Sequence, residues 1–229
     1  MSTSIIPQLL KKDFMLSRRM ILVFCLVSLL GVVAIALLFG RVPDWALINV
    51  GFLLLMSPAA TCGIVLLMTT VVFEKEKSTQ AFIMSLPVTP RHYALSKLLI
   101  NVGVFGVFWL AISAIAFYFA FGRGLFPSGT MPFVIMVLLG AFVAYIGILS
   151  VSLWRQSLGL TVLSIALFEM GTSAYLWVVA FLDPVADFIY GPEPVWNSTA
   201  VGIVSAQVLV AVGLIAMTLL YQSRRRDFL

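Results

Sequence analysis

The chain has 229 residues, of which 62% are hydrophobic and only 10% charged, with a formal net charge of +5. A soluble globular domain carries roughly 45–50% apolar and about 25% charged residues, so that class is excluded. The apolar residues fall in long blocks, as membrane spans require, and the short alternating segments of an outer-membrane barrel are missing.

A span needs about 20 apolar residues, because about 30 Å of hydrocarbon is crossed at 1.5 Å per residue. Lipid offers the backbone no hydrogen-bond partners, so each such block must be helical. The fold expected is all-α, a polytopic protein of six transmembrane helices preceded by an N-terminal amphipathic interfacial helix.

Residues 1–19 form the first unit. On a helical wheel Ile5, Ile6, Leu9, Leu10, Phe14 and Leu16 cover about half the circumference, and Gln8, Lys11 and Lys12 occupy the other half. Asp13 and Met15 are the misfits. This pattern predicts a helix lying in the interface with its basic residues among the headgroups. The membrane domain, 20–229, follows. Its first apolar block, 20–40, is longer than a signal-peptide core and lacks a small-residue cleavage pattern, so it is expected to remain as a span.

The second span is predicted over 46–73, long enough for Pro58 to kink it. The connection 74–97 then carries Lys75, Lys77, Arg91 and Lys97. Ser78 can cap a short helix reaching Met84 or Ser85, which Pro87 and Pro90 would stop. Simple reversals need only a few residues, so 24 imply a task. The third span is predicted over 98–122. The fourth, at 131–154, begins after the prolines Pro127 and Pro132. The fifth, 157–182, follows a minimal connection at Arg155 and Gln156. Between it and the sixth span, 199–222, lies a stretch with three acids, no base and the aromatics Phe188, Tyr190 and Trp196, suited to an interfacial belt. The sequon at Asn197 abuts the membrane and carries no weight. Small residues recur at Gly103–Gly106, Gly140–Ala144–Gly147, Gly202–Ala206 and Ala211–Gly213, where helices can approach closely.

Twelve of the 14 lysines and arginines flank one side of these spans, and only Arg41 and Arg123 flank the other. The positive-inside rule puts the twelve, and with them both termini, in the cytoplasm. The basic balance therefore reflects multi-pass insertion in the cell (inner or plasma) membrane, with lipid rather than nucleic acid as the partner.

Chemistry-bearing residues are few. Glu169 is the one ionisable residue deep in a span. A carboxylate there costs about 3 kcal/mol on insertion scales. It either lines a substrate path or sits protonated, bonded to Thr172, Ser173 or a backbone carbonyl. The single histidine, His92, cannot build a zinc site or a nucleophilic triad. Cys25 and Cys62 have no metal or redox spacing. Without a G-x-x-x-x-G-K-[ST] loop the chain cannot cradle ATP by itself, so no catalytic residue, metal or cofactor is expected in it.

Two local patterns resemble the ABC-2 type transporter permeases. One is LLKKDFMLSRR before the first span. The other is Glu74, Glu76 and Lys77, then Ser85-Leu86-Pro87-Val88, then Arg91 and Lys97. The size and the KKDF stretch resemble in particular short two-gene exporters that expel amphipathic peptides. The resemblance implies a permease subunit that dimerises with itself or a paralogue and binds a separate ABC ATPase subunit, which holds ATP and Mg. It makes 1–19 a connecting helix and the region 74–97 a coupling segment. That segment would meet the ATPase through Glu74, Glu76, Lys77, Phe82, Met84 and Arg91, with Glu169 as the candidate residue of the translocation path. The alternative, a membrane-embedded assembly or scaffold protein without transport activity, accounts for the helices but leaves the long amphipathic connection without a task.

Overall fold

The computed structural model describes residues 5–76 and 88–224, without the side chains of Lys75 and Glu76. Helix α1 spans Ile5–Leu38 and α2 spans Asp44–Leu67. A π turn at Met68–Val72 and a last α turn at Phe73–Glu76 prolong α2. Helix α3, Pro90–Phe117, ends in a second π turn at Tyr118–Gly122. Helices α4 (Met131–Arg155), α5 (Leu158–Ala180), α6 (Asp183–Ile189) and α7 (Ser198–Arg224) complete the order. Six helices are long and apolar enough to cross a membrane, and the short α6 is not among them. The chain is a multi-pass membrane protein.

The separate interfacial helix expected at the N-terminus is not observed. Residues 5–19 are the opening turns of α1, a single helix of 34 residues. At 1.5 Å per residue it is about 51 Å long, roughly 20 Å more than the hydrocarbon needs. The buried positions explain why it stays in line with the span. Leu9, Asp13 and Ser17 lie on one stripe, whereas Phe14 and Leu16 of the expected apolar face are exposed. The misfit Asp13 thus marks the face that packs, together with Leu9, while Phe14 and Leu16 turn outward. Helix α3 likewise starts earlier than its apolar block, at Pro90, whose missing N–H suits the first turn of a helix. The hydroxyl of Thr89 caps it by accepting from the His92 amide.

Helices α3 and α4 form the centre. Helices α1 and α2 pack on each other and on α3, α5 packs on α4, and α7 lies against both α3 and α4. Phe105 and Tyr145, with ring centroids 3.9 Å apart, knit α3 to α4 within a core that includes Leu55, Leu66 and Leu149. Between α2 and α5 the bundle is open, and a cleft remains. The hydroxyls of Thr70, Ser150 and Thr172 donate to carbonyls four residues back on their own helices, so these three bring no unpaired donor into the membrane. Those of Ser28, Ser113 and Thr161 have no such partner among the described residues.

Pro58 leaves the carbonyl of Leu54 without its usual helical donor. That oxygen faces α1 at Gly31, where an added Cβ would lie 2.9 Å from it. Of the small residues noted in the sequence, Gly140 and Gly147 seat Tyr175 and Phe168 of α5, while Gly103, Gly202 and Gly213 face open space.

At the end carrying Arg41 and Arg123, the connection after α5 is clamped onto the start of α4. The Gly129 amide donates to the Gly191 carbonyl at 2.9 Å, and the Thr130 hydroxyl donates to the Ile189 carbonyl at 2.8 Å. Asn197 caps α7 by accepting from the Ala200 amide at 2.8 Å, and its amide group donates to the Pro184 carbonyl. A Cβ at Gly129 would sit 2.1 Å from the Phe188 carbonyl oxygen, and backbone cannot yield as a side chain can. Gly129→Ala should therefore destabilise the protein by about 1–3 kcal/mol, the usual range for overpacking. Gly103→Ala should not, and thermal unfolding of both variants in detergent checks the contrast.

Candidate functional site

The end of the bundle that carries Lys12, Arg155 and Arg224 holds a buried cluster of charge. Asp13 is on α1, Glu74 on the last turn after α2, and Lys97 in the second turn of α3. They are 0%, 4% and 1% exposed. The Lys97 ammonium donates to Asp13 Oδ2 at 2.8 Å and pairs with Glu74 Oε2 at 2.7 Å. Lys12, more open, lies 3.2 Å from Asp13 Oδ1 and donates to Glu74 Oε1. The Tyr93 hydroxyl donates to Glu74 Oε2 at 3.1 Å, and its ring lies 5.1 Å from the Lys97 nitrogen. Tyr93 and Leu9, with Ile5 and Val88, form an apolar cover. Two cations and two anions are thus held together, so each desolvated charge has a partner.

Burial alone would push the Glu74 carboxyl up. The neighbouring Lys97 charge and the hydrogen bonds from Lys12 and Lys97 outweigh it and hold the group below its usual value. A lowered carboxylate contributes stability that is complete above the ordinary range, about 4.3 for Glu, and is lost as pH falls through the lowered value.

A file of hydrogen bonds leads inward from this cluster. The Asn101 side-chain amide donates to the Lys97 carbonyl at 2.8 Å and to the Thr70 hydroxyl, in the π turn after α2, at 2.9 Å. The Tyr145 hydroxyl donates to Asn101 Oδ1 at 3.2 Å. Tyr145 in turn lines the cleft between α2 and α5, a space of about 330 Å³.

Glu169 stands on the α5 wall of that cleft, with Thr172, Ser173 and Leu176, facing Phe52, Met56 and Ser57 of α2. Glu169 is an exposed residue. Thr172 bonds the Phe168 carbonyl at 2.8 Å rather than Glu169.

Of the residues expected to form a coupling contact, Glu74 faces into the chain and belongs to the charge cluster, while Arg91 is exposed on the first turn of α3. Lys77, Phe82 and Met84, with the cap and stop expected at Ser78 and Pro87, lie outside the described residues, as does the Glu76 side chain. The bounds of the intervening segment are nevertheless fixed, since Glu74 precedes it and Tyr93 and Lys97 follow it in the same cluster. Asp13, Lys12, Tyr93, Thr70, Asn101 and Tyr145 carried no site expectation. Their signals were faint: Asp13 spoiling an amphipathic wheel, and Lys97 followed one helical turn later by Asn101.

A family model described as ABC-2 family transporter protein matches residues 8–223. The chain belongs to the ABC-2 transporter family. Both the Asp13 end of α1 and nearly all of α7 lie within the matched region, so membership covers the charge cluster and the cleft alike. In ABC transporters such a membrane chain works, in general, with an ATPase partner. No match was found among curated proteins or among solved structures.

Removing Lys97 would leave two buried carboxylates sharing Lys12. Lys97→Met should cost about 3–5 kcal/mol, as loss of one partner of a buried pair does. Adding Asp13→Asn should recover part of that loss, because the remaining Glu74 can pair with Lys12. A double-mutant cycle on thermal stability in detergent checks this, and strictly additive losses would contradict the shared cluster.

Proposed function

We propose that this chain is the membrane-spanning subunit of an ATP-driven exporter, with both termini and the 74–97 region in the cytoplasm. It dimerises with itself or a paralogue. A separate ATPase subunit, carrying ATP and Mg, docks on the connection between α2 and α3. The substrate path is the cleft between α2 and α5, with Glu169 on its wall.

The observation that carries this reading is the charge cluster, which roots both ends of the connection. Glu74 lies just before the connection and Tyr93 and Lys97 just after it; Glu74 is tied to Lys12 of α1, Lys97 to Asp13 of α1, and both Tyr93 and Lys97 to Glu74. A push delivered there by an ATPase reaches three spanning helices together, and the bond file through Asn101 and Tyr145 carries it to the cleft wall. A loop with free ends would absorb such a push in its own bending. Phe82 and Met84 are the apolar anchors and Glu76 and Lys77 the surrounding charges, the division of labour seen in interfaces where few residues carry most of the energy. Arg91 adds an exposed charge at the edge. ATP chemistry belongs to the partner chain.

Truncating a buried anchor typically costs about 2 kcal/mol or more, over tenfold in affinity, whereas an exposed charge is worth about 1 kcal/mol at most. Phe82→Ala should therefore release the ATPase or uncouple hydrolysis from transport, and Lys75→Ala should do little. Reconstitution of both subunits in vesicles, with hydrolysis and transport assayed together, checks it. Normal coupling after deletion of 77–86 would overturn the assignment, and a chain that recruits no nucleotide-binding subunit would be a scaffold instead.

A further inference from the structure

Glu169 is the twelfth of the 23 residues of α5, the middle of a span. Among the described residues it has no hydrogen bond or ion pair, and no lysine, arginine or histidine lines the cleft it faces. An ionisable group at this depth is expensive and is normally matched by a partner. Trp109, Tyr145, Phe105 and Phe52 line the same space, and the faces of aromatic rings attract cations.

The cleft continues into a second cavity of about 240 Å³, toward the end that carries Arg41 and Arg123. Phe52, Met56, Val137, Leu138 and Leu176 belong to both. The second cavity is lined by residues such as Ile35, Leu47, Ala120 and Phe126, and no polar side chain lines it. A chamber with such walls stays dry and takes hydrocarbon. Leu176, at the junction, is two turns beyond Glu169, so about 10 Å separates the carboxylate from the mouth of the chamber.

We propose that this paired cavity is a binding site for a cationic amphiphile. Its positive head is held by Glu169 among the aromatic rings, and its apolar tail lies in the dry chamber. The proposal rests on reading the cleft as the substrate path and adds the class of substrate. Charge complementarity selects this occupant. An anionic amphiphile meets the Glu169 carboxylate unfavourably, and a neutral acyl chain leaves that carboxylate without a partner.

The test uses the full chain in lipid nanodiscs, without an ATPase, with empty nanodiscs correcting for partition into lipid. The probes are dodecyltrimethylammonium, hexyltrimethylammonium, tetramethylammonium and dodecyl sulfate. Dodecyltrimethylammonium should bind saturably and at least tenfold more tightly than the hexyl compound, and tetramethylammonium should not bind measurably. Dodecyl sulfate should not compete. Glu169→Gln, which keeps the shape of the side chain, should weaken dodecyltrimethylammonium binding at least tenfold. Val137→Trp, which fills the junction, should abolish the advantage of dodecyl over hexyl while leaving Glu169 in place. Equal binding by wild type and Glu169→Gln, effective competition by dodecyl sulfate, or a cleft that binds none of the probes because a second copy covers it would each overturn the proposal. The ATPase is absent from this experiment. Failure here with intact coupling in the vesicle assay rejects only the substrate class, and binding here with no coupling rejects only the transport reading.

Discussion

Lys97 and Asp13 are 84 residues apart in sequence and 2.8 Å apart in space, at a depth where neither charge has water. Separating them would strand an ammonium and a carboxylate in a low-dielectric interior, at a cost of several kcal/mol per ion. Glu74 extends the same constraint to the end of α2, and Lys12 closes it. Hydrophobic packing alone gives membrane helices little reason to hold one register, since lipid is as apolar as their own side chains. Here electrostatics sets the register of three of them. The continuous α1 follows from it, because the N-terminal turns are anchored through Asp13 beside α3 and run on in line with the span.

From that anchor a polar path descends between α2, α3 and α4. Lys97 passes to Asn101 through its own carbonyl, and Asn101 to Thr70 and Tyr145. The π turn at Met68–Val72 places Thr70 on this path. The ring of Tyr145 then packs on Phe105 and forms part of the cleft floor. The basic end and the cleft are thereby joined by hydrogen bonds that each have a defined donor and acceptor. The opposite end is held differently, by the backbone bond from Gly129 and the Asn197 cap.

The six spans were legible in the sequence because lipid imposes one length and one secondary structure, and apolar blocks report both. Boundaries on the basic side were less so. Composition changes at Lys97, but the helix begins at Pro90, since its first two turns are covered by α1 and the charge cluster rather than by lipid. The N-terminal wheel misled for a related reason. Apolar residues such as Phe14 and Leu16 can face lipid headgroups as readily as protein, so the informative residue was Asp13. Glu169 was legible as a lone charge in an apolar run. Its cleft was not, because the gap between α2 and α5 depends on which helices pack on α4. The pairing of Lys97 with Asp13 could not be read from one sequence at all, since nothing local links the two positions.

The central claim is that the charge cluster makes the basic ends of α1, α2 and α3 one mechanical unit. Spin-label distances test it most directly, in a variant with Cys25 and Cys62 replaced, reconstituted with its ATPase in nucleotide-free and ATP-trapped states. Labels at the exposed positions Arg19 and Arg91 report α1 against α3, and labels at Arg91 and Leu160 report α3 against α5. The first distance should stay the same in both states while the second changes. A shift in the Arg19–Arg91 distance as large as that between Arg91 and Leu160 would contradict the account.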